Sequence, residues 1–329
     1  MNRVFILGAG FSKAINPLMP TLYQLTDSVK EAFHGRGIDI SDDLAGFGND
    51  LERWLSSLAD PGPWLTVAEK MRNRAQFIEV SDDIAQSITA LELRVAHNAA
   101  PSWLGPLVQY WDRTESTVIT FNYDRLVELA YLQSADKQDK WPGELYSIPV
   151  TPAALRVSAV VGGDRRPTLK LLKLHGSVSW WYSGPEGGEF DVIYEASWHG
   201  SFNEGISNMW EEVETYVSDK LPLLIPPAAT KTPFYSNRLL ATQWQIAAQA
   251  LREAEELVIM GYSAPPTDLA VTNLISSNFR GEAIIPVDIS DTVLARASNL
   301  VNRNISTQII TDFIGQDAIE KWVNTFGGS

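Results

Sequence analysis

Six short runs of this chain are mainly apolar: residues 4–7, 117–121, 169–174, 257–260, 283–287 and 307–310. They do not alternate polar with apolar, so they read as strands of a parallel sheet covered on both faces. Between them the apolar positions recur at helical spacing. Over residues 239–256, Leu240, Trp244, Ala247, Ala248 and Leu251 form one stripe, and charged residues follow just before the strand at 257–260. Strand and helix in alternation predict an α/β fold, a Rossmann-like parallel sheet with helices on both faces and right-handed crossovers.

Two stretches break that rhythm. Residues 39–105 contain no strand-like run. Trp54, Leu55 and Leu58 make one helical pattern. Ile84, Ile88, Leu91 and Val95 make a second, behind a candidate N-cap at Ser81 with Asp82 and Asp83 in the first turn. The stretch reads as an inserted helical subdomain. Residues 183–220 carry the turn formers Gly184, Pro185, Gly187 and Gly188, and read as a small irregular insertion with a hairpin at 190–194 and an amphipathic helix at 209–217. The expectation is one domain over 1–329, its sheet drawn from 1–38, 106–182 and 221–329, with a frayed end at 327–329. Trp54, Trp64, Trp198 and Trp210 are open to two readings, interface anchors or parts of local cores.

Composition narrows the function classes. The 329 residues include no cysteine, which excludes a disulfide framework, a Cys-ligated zinc ribbon, an iron–sulfur cluster and a Cys nucleophile. The 26 Lys and Arg against 40 Asp and Glu give a net charge of −14, the wrong sign for direct nucleic-acid binding or an anionic membrane surface. The opening apolar run is too short for a signal peptide, and no stretch approaches the roughly 18 apolar residues of a membrane span. A cytoplasmic location is the expectation. The four histidines have no metal-ligand spacing, so no metal site is expected.

Polar residues gather just past the strands, where open α/β sheets bind ligands. Gly8-Ala9-Gly10-Phe11-Ser12 follows the first strand and opens a helix. Two glycines there admit either a phosphate or close packing. Lys13 stands where the dehydrogenase fingerprint needs a small residue, so hydride transfer is not expected. Thr120-Phe121-Asn122-Tyr123-Asp124 follows the second strand. Asp124 suits a helix cap as well as a ligand contact, whereas Asn122 is not needed for the cap. Lys173-Leu174-His175-Gly176-Ser177 places an imidazole, the side chain best matched to take a proton at neutral pH. Gly261, Ser263 and Asp288 stand at later strand ends, placed for a ribose or adenine. His34, His97 and His199 sit in contexts that suggest structural roles.

This order of motifs resembles the sirtuin family, and more closely the bacterial sirtuin-like proteins that consume NAD in defence against phage. The text over 5–12, 120–124 and 173–177, with Trp180-Trp181 soon after the histidine, carries the resemblance. It implies that Gly8, Ala9, Gly10, Phe11 and Ser12 cradle the NAD+ diphosphate. It implies that Asn122 and His175 are catalytic, that Thr120 is cofactor-binding, that Asp124 supports the nicotinamide pocket or its own loop, and that Gly261, Ser263 and Asp288 lie on the ribose–adenine side. Two departures matter. Asn16-Pro17-Leu18-Met19-Pro20-Thr21 stands in place of the family's Gly-Ile-Pro-x-Phe-Arg run, and the four-cysteine zinc module is missing. Both count against a protein deacylase. The resemblance therefore implies an NAD+ hydrolase yielding nicotinamide and ADP-ribose or its cyclic form, with NAD+ as substrate and no zinc. It further implies a homo-oligomer regulated by a protein partner or phage-derived activator. Deacylase or ADP-ribosyltransferase activity, and a non-catalytic nucleotide-binding scaffold, are the alternatives.

Overall fold

The structure is a computed structural model that describes residues 2–59, 62–134, 142–157, 167–184, 187–225, 237–265, 268–300 and 307–327. Each of the six apolar runs forms a strand of one sheet. They are β1 (Arg3–Leu7), β2 (Thr117–Thr120), β4 (Lys170–Lys173), β10 (Glu256–Met260), β11 (Ala283–Val287) and β12 (Gln308–Ile309), ordered β12-β11-β10-β1-β2-β4 and parallel throughout. The chain first builds outward from β1 to β2 and β4, then returns to the other side of β1 to build β10, β11 and β12. The topological switch point therefore lies between β1 and β10.

Successive strand side chains point to opposite faces, and each face has its own core. Phe5, Leu7, Val118, Leu171, Val258, Met260, Ile285 and Val287 face one way. Helices α1 (Ala9–Ile15), α2 (Leu22–Gly35), α3 (Ser41–Gly46), α4 (Leu51–Ala59), α5 (Val67–Val95) and α6 (Leu104–Arg113) contribute to that core. Val4, Ile6, Ile119, Leu172, Leu257, Ile259 and Ile284 face the other way, under α9 (Arg238–Glu253), α10 (Leu269–Asn278) and α11 (Thr292–Leu300). The first core is anchored by Phe5, whose ring meets Trp111 and Trp322 edge-on at centroid distances of 5.4 Å each. Trp322 lies on α12 (Ala318–Phe326). Such edge contacts add about 0.5–1.5 kcal/mol per pair beyond area burial.

The irregular stretches differ in detail from the sequence expectation. Ser81 is not a helix cap but a buried residue inside the 29-residue α5. The helix starts at Thr66, whose backbone N–H donates to Glu69 Oε2 at 2.7 Å while its hydroxyl accepts from the Glu69 N–H. Phe77 and Val80 continue the apolar stripe upstream of Ser81, so no break occurs there. The hairpin expected at 190–194 is displaced: residues 190–193 are not extended, and Tyr194–Glu195 pair antiparallel with Trp180–Trp181 instead. Asp191 accepts from the Ser183 backbone N–H and hydroxyl, both at 2.7 Å, stapling a loop in its place. Only β6 (Tyr194–Glu195) is extended there, between β3 (Thr151–Pro152) and β5 (Gly176–Tyr182) in a small sheet completed by β9 (Leu221–Leu224). A tight hairpin of this region is β7 (Gly200–Ser201) with β8 (Gly205–Ile206). The amphipathic helix appears as α8 (Trp210–Tyr216), and α7 (Leu126–Gln133) follows β2.

Trp54 and Trp198 are buried, Trp210 packs edge-on against Trp181 at 5.8 Å, and Trp64 is 82% exposed. Of the end expected to fray, Gly327 caps α12, while Gly328 and Ser329 lie outside the described residues. Among the described residues no helix is long and apolar enough to cross a membrane.

Candidate active site

A cavity of about 980 Å³ opens at the carboxyl ends of the strands, over the switch point. That volume is at the upper end of the roughly 300–1,000 Å³ usual for small-ligand pockets. Its location follows from topology, because loops leaving β1 and β10 diverge to opposite faces of the sheet. Register places Leu7 beside Met260, so Gly8 and Gly261 leave the sheet side by side.

These glycines first serve each other. Gly10 N–H donates to the Gly261 carbonyl at 2.9 Å. A Cβ on Gly8 would stand 2.6 Å from that same oxygen. One on Gly261, where φ is +61°, would stand 2.2 Å from the Phe11 nitrogen. Packing between two loops thus requires glycine at these positions whatever the cavity holds. Gly176 has the same kind of role. Its φ is +85°, and a Cβ would lie 1.9 Å from the Leu223 carbonyl oxygen of β9.

Asn122 leaves β2 with its amide held from two sides. Its Nδ2 donates to the Gly8 carbonyl and to Ser12 Oγ, both at 2.8 Å. The Ser12 hydroxyl donates in turn to Asp124 Oδ2 at 2.6 Å. Both amide hydrogens are thereby used, so Oδ1 is the group that Asn122 can offer a ligand, as an acceptor. Asp124 serves both roles that its position allowed. Its Oδ1 accepts the Leu126 N–H at 3.2 Å at the start of α7, and its Oδ2 anchors Ser12. Burial, reinforced by Glu92, pushes the Asp124 carboxyl up to about 6, against the pull of Lys173 and Ser12.

His175 is buried at the end of β4, within a ring of aromatics. Phe121 lies 5.0 Å away, Tyr123 6.5 Å and Trp244 6.5 Å, centroid to centroid. Phe121 also stacks with Tyr262 at 4.7 Å, and Tyr262 donates to Asp268 Oδ2 at 3.2 Å. These apolar walls fix the imidazole plane at the cavity edge.

Of the residues expected from the sequence, Gly8, Ala9, Gly10, Ser12, Asn122, Asp124, His175, Gly261, Ser263 and Asp288 line this one cavity. Phe11 and Thr120 do not. Phe11 is buried against Trp103 and Trp111, and the Thr120 hydroxyl accepts the Asn122 N–H at 3.1 Å beneath the site. Asp288 accepts from the Ser290 N–H at 3.1 Å, and burial raises its carboxyl above the usual range. The cavity also takes in Lys13, Tyr262, Asp268, Gln316 and Glu320, and a wall from residues 48–55 with Ile84 and Ile88. Glu52 belongs to that wall. Its signal in the sequence is a carboxylate three positions before Leu55 on an otherwise apolar stripe. Among the described residues no group of His, Asp and Glu could hold a metal ion.

No family model matches the chain, and no curated protein does. Solved structures do. A Sir2 homologue in complex with NAD is 13% identical, over 98% of this chain and 88% of that one, with a TM-score of 0.45. A mutant Sir2 homologue in complex with 2'-O-acetyl ADP ribose is 13% identical over 99% and 90%, with a TM-score of 0.46. A Sir2 protein bound to a propionylated peptide is 13% identical over 100% and 94%, with a TM-score of 0.43. Likenesses this shallow transfer no residue role.

Proposed function

We infer that the protein cleaves the nicotinamide–ribose bond of NAD+, giving nicotinamide and either ADP-ribose, when water attacks C1, or its cyclic form, when the substrate's own adenine does. The observation that carries this reading is the meeting of Asn122 and His175 in one cavity at the switch point, with Asn122 held by Ser12 and Gly8. The sirtuin-like motifs on which those residues lie supply the substrate class.

The chemistry needs little apparatus. The bond between C1 of the ribose and the ring nitrogen breaks with its electron pair going to nicotinamide, which leaves neutral. No acid is required, unlike ordinary glycoside hydrolysis. Positive charge develops on the ribose, and water adds to C1 and releases a proton. In this reading Asn122 Oδ1 orients a ribose hydroxyl or the water, and His175 takes the proton. Gly8, Ala9, Gly10 and Ser12 accommodate the diphosphate, and Gly261, Ser263 and Asp288 the adenosine side. Proton transfer to a positioned base contributes about 10²–10⁴-fold. The absence of any cysteine favours water over an acyl-lysine as co-substrate, since the zinc module that shapes the peptide cleft in classical sirtuins cannot form.

In the same reading the chain is a cytoplasmic effector of antiphage defence. Uncontrolled NAD+ hydrolysis would kill its host, so activity is held until a homo-oligomeric contact, a partner or a phage-derived activator releases it. The helical stretch 39–105 and the stretch 183–220 are proposed as insertions in a single domain.

The test is nicotinamide release from NAD+ by wild type, Asn122→Ala and His175→Ala. Wild type, assayed with and without candidate activators, is expected to turn over with water as the sole acceptor. Asn122→Ala should lose at least about 100-fold and His175→Ala about 10²–10⁴-fold. NAD+ loss only when acyl-lysine or an acceptor protein is added would favour the deacylase or transferase. Tight binding without any product would favour the scaffold.

A further inference from the structure

The wall of the cavity opposite the strands brings one more ionisable group to its lining. Residues 48–55 enter the cavity from the turn between α3 and α4. Gly48 and Asn49 both have left-handed backbone, with φ of +70° and +57°. Consecutive left-handed residues are a strained way to turn a chain, and asparagine is among the few non-glycine residues that tolerate it. The turn is held by Asn49 N–H donating to the Leu44 carbonyl at 2.8 Å and by Lys30 Nζ donating to Asn49 Oδ1 at 3.1 Å. Asp50 then caps α4, its Oδ1 accepting from the N–H groups of Glu52 and Arg53. The consequence is that Glu52, 5% exposed, joins Asn122, Tyr123 and His175 in lining the cavity.

Two tyrosines that line the same cavity sense its charge. Burial raises the Tyr123 and Tyr262 hydroxyls first; Glu52 and then Asp268 raise Tyr123 further, and Asp268 and then Glu52 raise Tyr262. Tyr123 lies 6.5 Å from the His175 ring, and Tyr262 reaches His175 through Phe121. A buried carboxylate on a wall that includes Leu51, Leu55, Ile84 and Ile88 attracts positive charge strongly. The proposed substrate carries one positive charge, on the nicotinamide ring, and that charge passes to the ribose as the bond breaks.

We propose that Glu52 is a catalytic carboxylate of this site, the counter-charge that the helical wall sets against the nicotinamide ring and the ribosyl cation that follows. It forms no bond and takes no proton. It acts by favouring the cationic species over neutral ones. This rests on the NAD+ reading above. It also means that the 48–55 turn must be seated for the site to be complete.

The experiment uses the full chain with Glu52→Gln, which keeps shape and removes charge, and Glu52→Asp, which keeps charge. Nicotinamide release is measured together with the affinities for NAD+ and ADP-ribose, the latter lacking the cationic ring. Glu52→Gln should lower kcat about 100-fold. It should also weaken NAD+ at least about threefold while leaving ADP-ribose unchanged, whereas Glu52→Asp keeps the preference of wild type. The affinity ratio is internal to each variant and is readable even where the wild type is silent. Equal weakening or loss of both ligands in Glu52→Gln would mean a structural role, and an unchanged ratio would mean no role; either overturns the proposal. A wild type that binds neither nucleotide and releases no nicotinamide overturns the NAD+ reading itself. Normal behaviour of the Asn122 and His175 variants alongside a neutral Glu52→Gln overturns only this inference.

Discussion

Ser12 takes no part in bond cleavage in the proposed reaction, yet it holds Asn122, which acts there, and the buried carboxylate of Asp124. Its oxygen accepts from Asn122 and donates to Asp124, tying the β1 loop to the β2 loop through hydroxyl, amide and carboxylate. Ser12→Ala removes both bonds at once and leaves a buried carboxylate short of a donor, an effect of about 1–3 kcal/mol. Nicotinamide release should fall roughly tenfold to 100-fold. The hydrogen bond from Ser12 favours the charged form of Asp124, so its loss should carry the carboxyl above about 6. The acidic limb of the pH–rate profile should therefore move upward. A variant that loses rate with an unmoved acidic limb would place Ser12 in packing alone. Glycine at 8, 10 and 261 shows the other side of residue-scale reasoning. A Gly-x-Gly after a strand left phosphate binding and packing equally open, and only the contact with the loop after β10 reveals that packing demands it.

At the scale of elements, α5 does more than cover the sheet. Glu92, fully buried near its C-terminal end, accepts from Arg125 Nε at 3.0 Å and Nη2 at 2.7 Å, and from the Arg125 backbone N–H. The guanidinium also lies over Trp198, 4.7 Å from its ring centroid. Thus α5, the start of α7 and the β7–β8 region meet at one buried ion pair directly behind Asp124. Breaking such a pair strands a charge away from water. Glu92→Ala should destabilise the fold by roughly 3–5 kcal/mol, measured by urea denaturation. A loss below about 1 kcal/mol, the range of an exposed pair, would show that water reaches Arg125. The capping error at Ser81 belongs to this scale too. Ser-Asp-Asp reads as a helix start, but tertiary burial of Phe77 and Val80 carries the helix through it.

At the scale of the molecule, the buried polar groups behind the cavity form one network. Lys173 Nζ donates to the Asp124 carbonyl at 2.5 Å and to Glu128 Oε1 at 2.8 Å. The Tyr146 hydroxyl lies 3.1 Å from that Glu128 oxygen and 3.2 Å from Glu195 Oε1. One hydroxyl proton cannot serve two carboxylates fully. Burial, then repulsion from Glu128, pushes the Glu195 carboxyl from 4.5 up to about 7, so near neutrality it can hold the second proton. Between those values the folded chain keeps a proton that the unfolded chain has released. Stability from this group therefore falls as pH rises through the window and levels off above it. Glu195→Gln should remove that slope. Its stability relative to wild type should rise by up to about 3 kcal/mol between about pH 5 and about pH 8. Parallel denaturation curves across that range would show that Glu195 titrates normally. The sequence by itself determined the sheet, because a strand covered on both faces must be mainly apolar, and all six such runs became its strands. It also placed Asn122, Asp124 and His175 at strand ends, because polar residues that close an apolar run can only stand where the sheet stops. It did not reveal that Ser12 holds Asn122, that three glycines pack on one another, or that Glu52 faces the same space as His175. Those relations join residues more than a hundred positions apart in most cases. Only the order in which strands lie side by side, and the turn at Gly48-Asn49, decides that they meet.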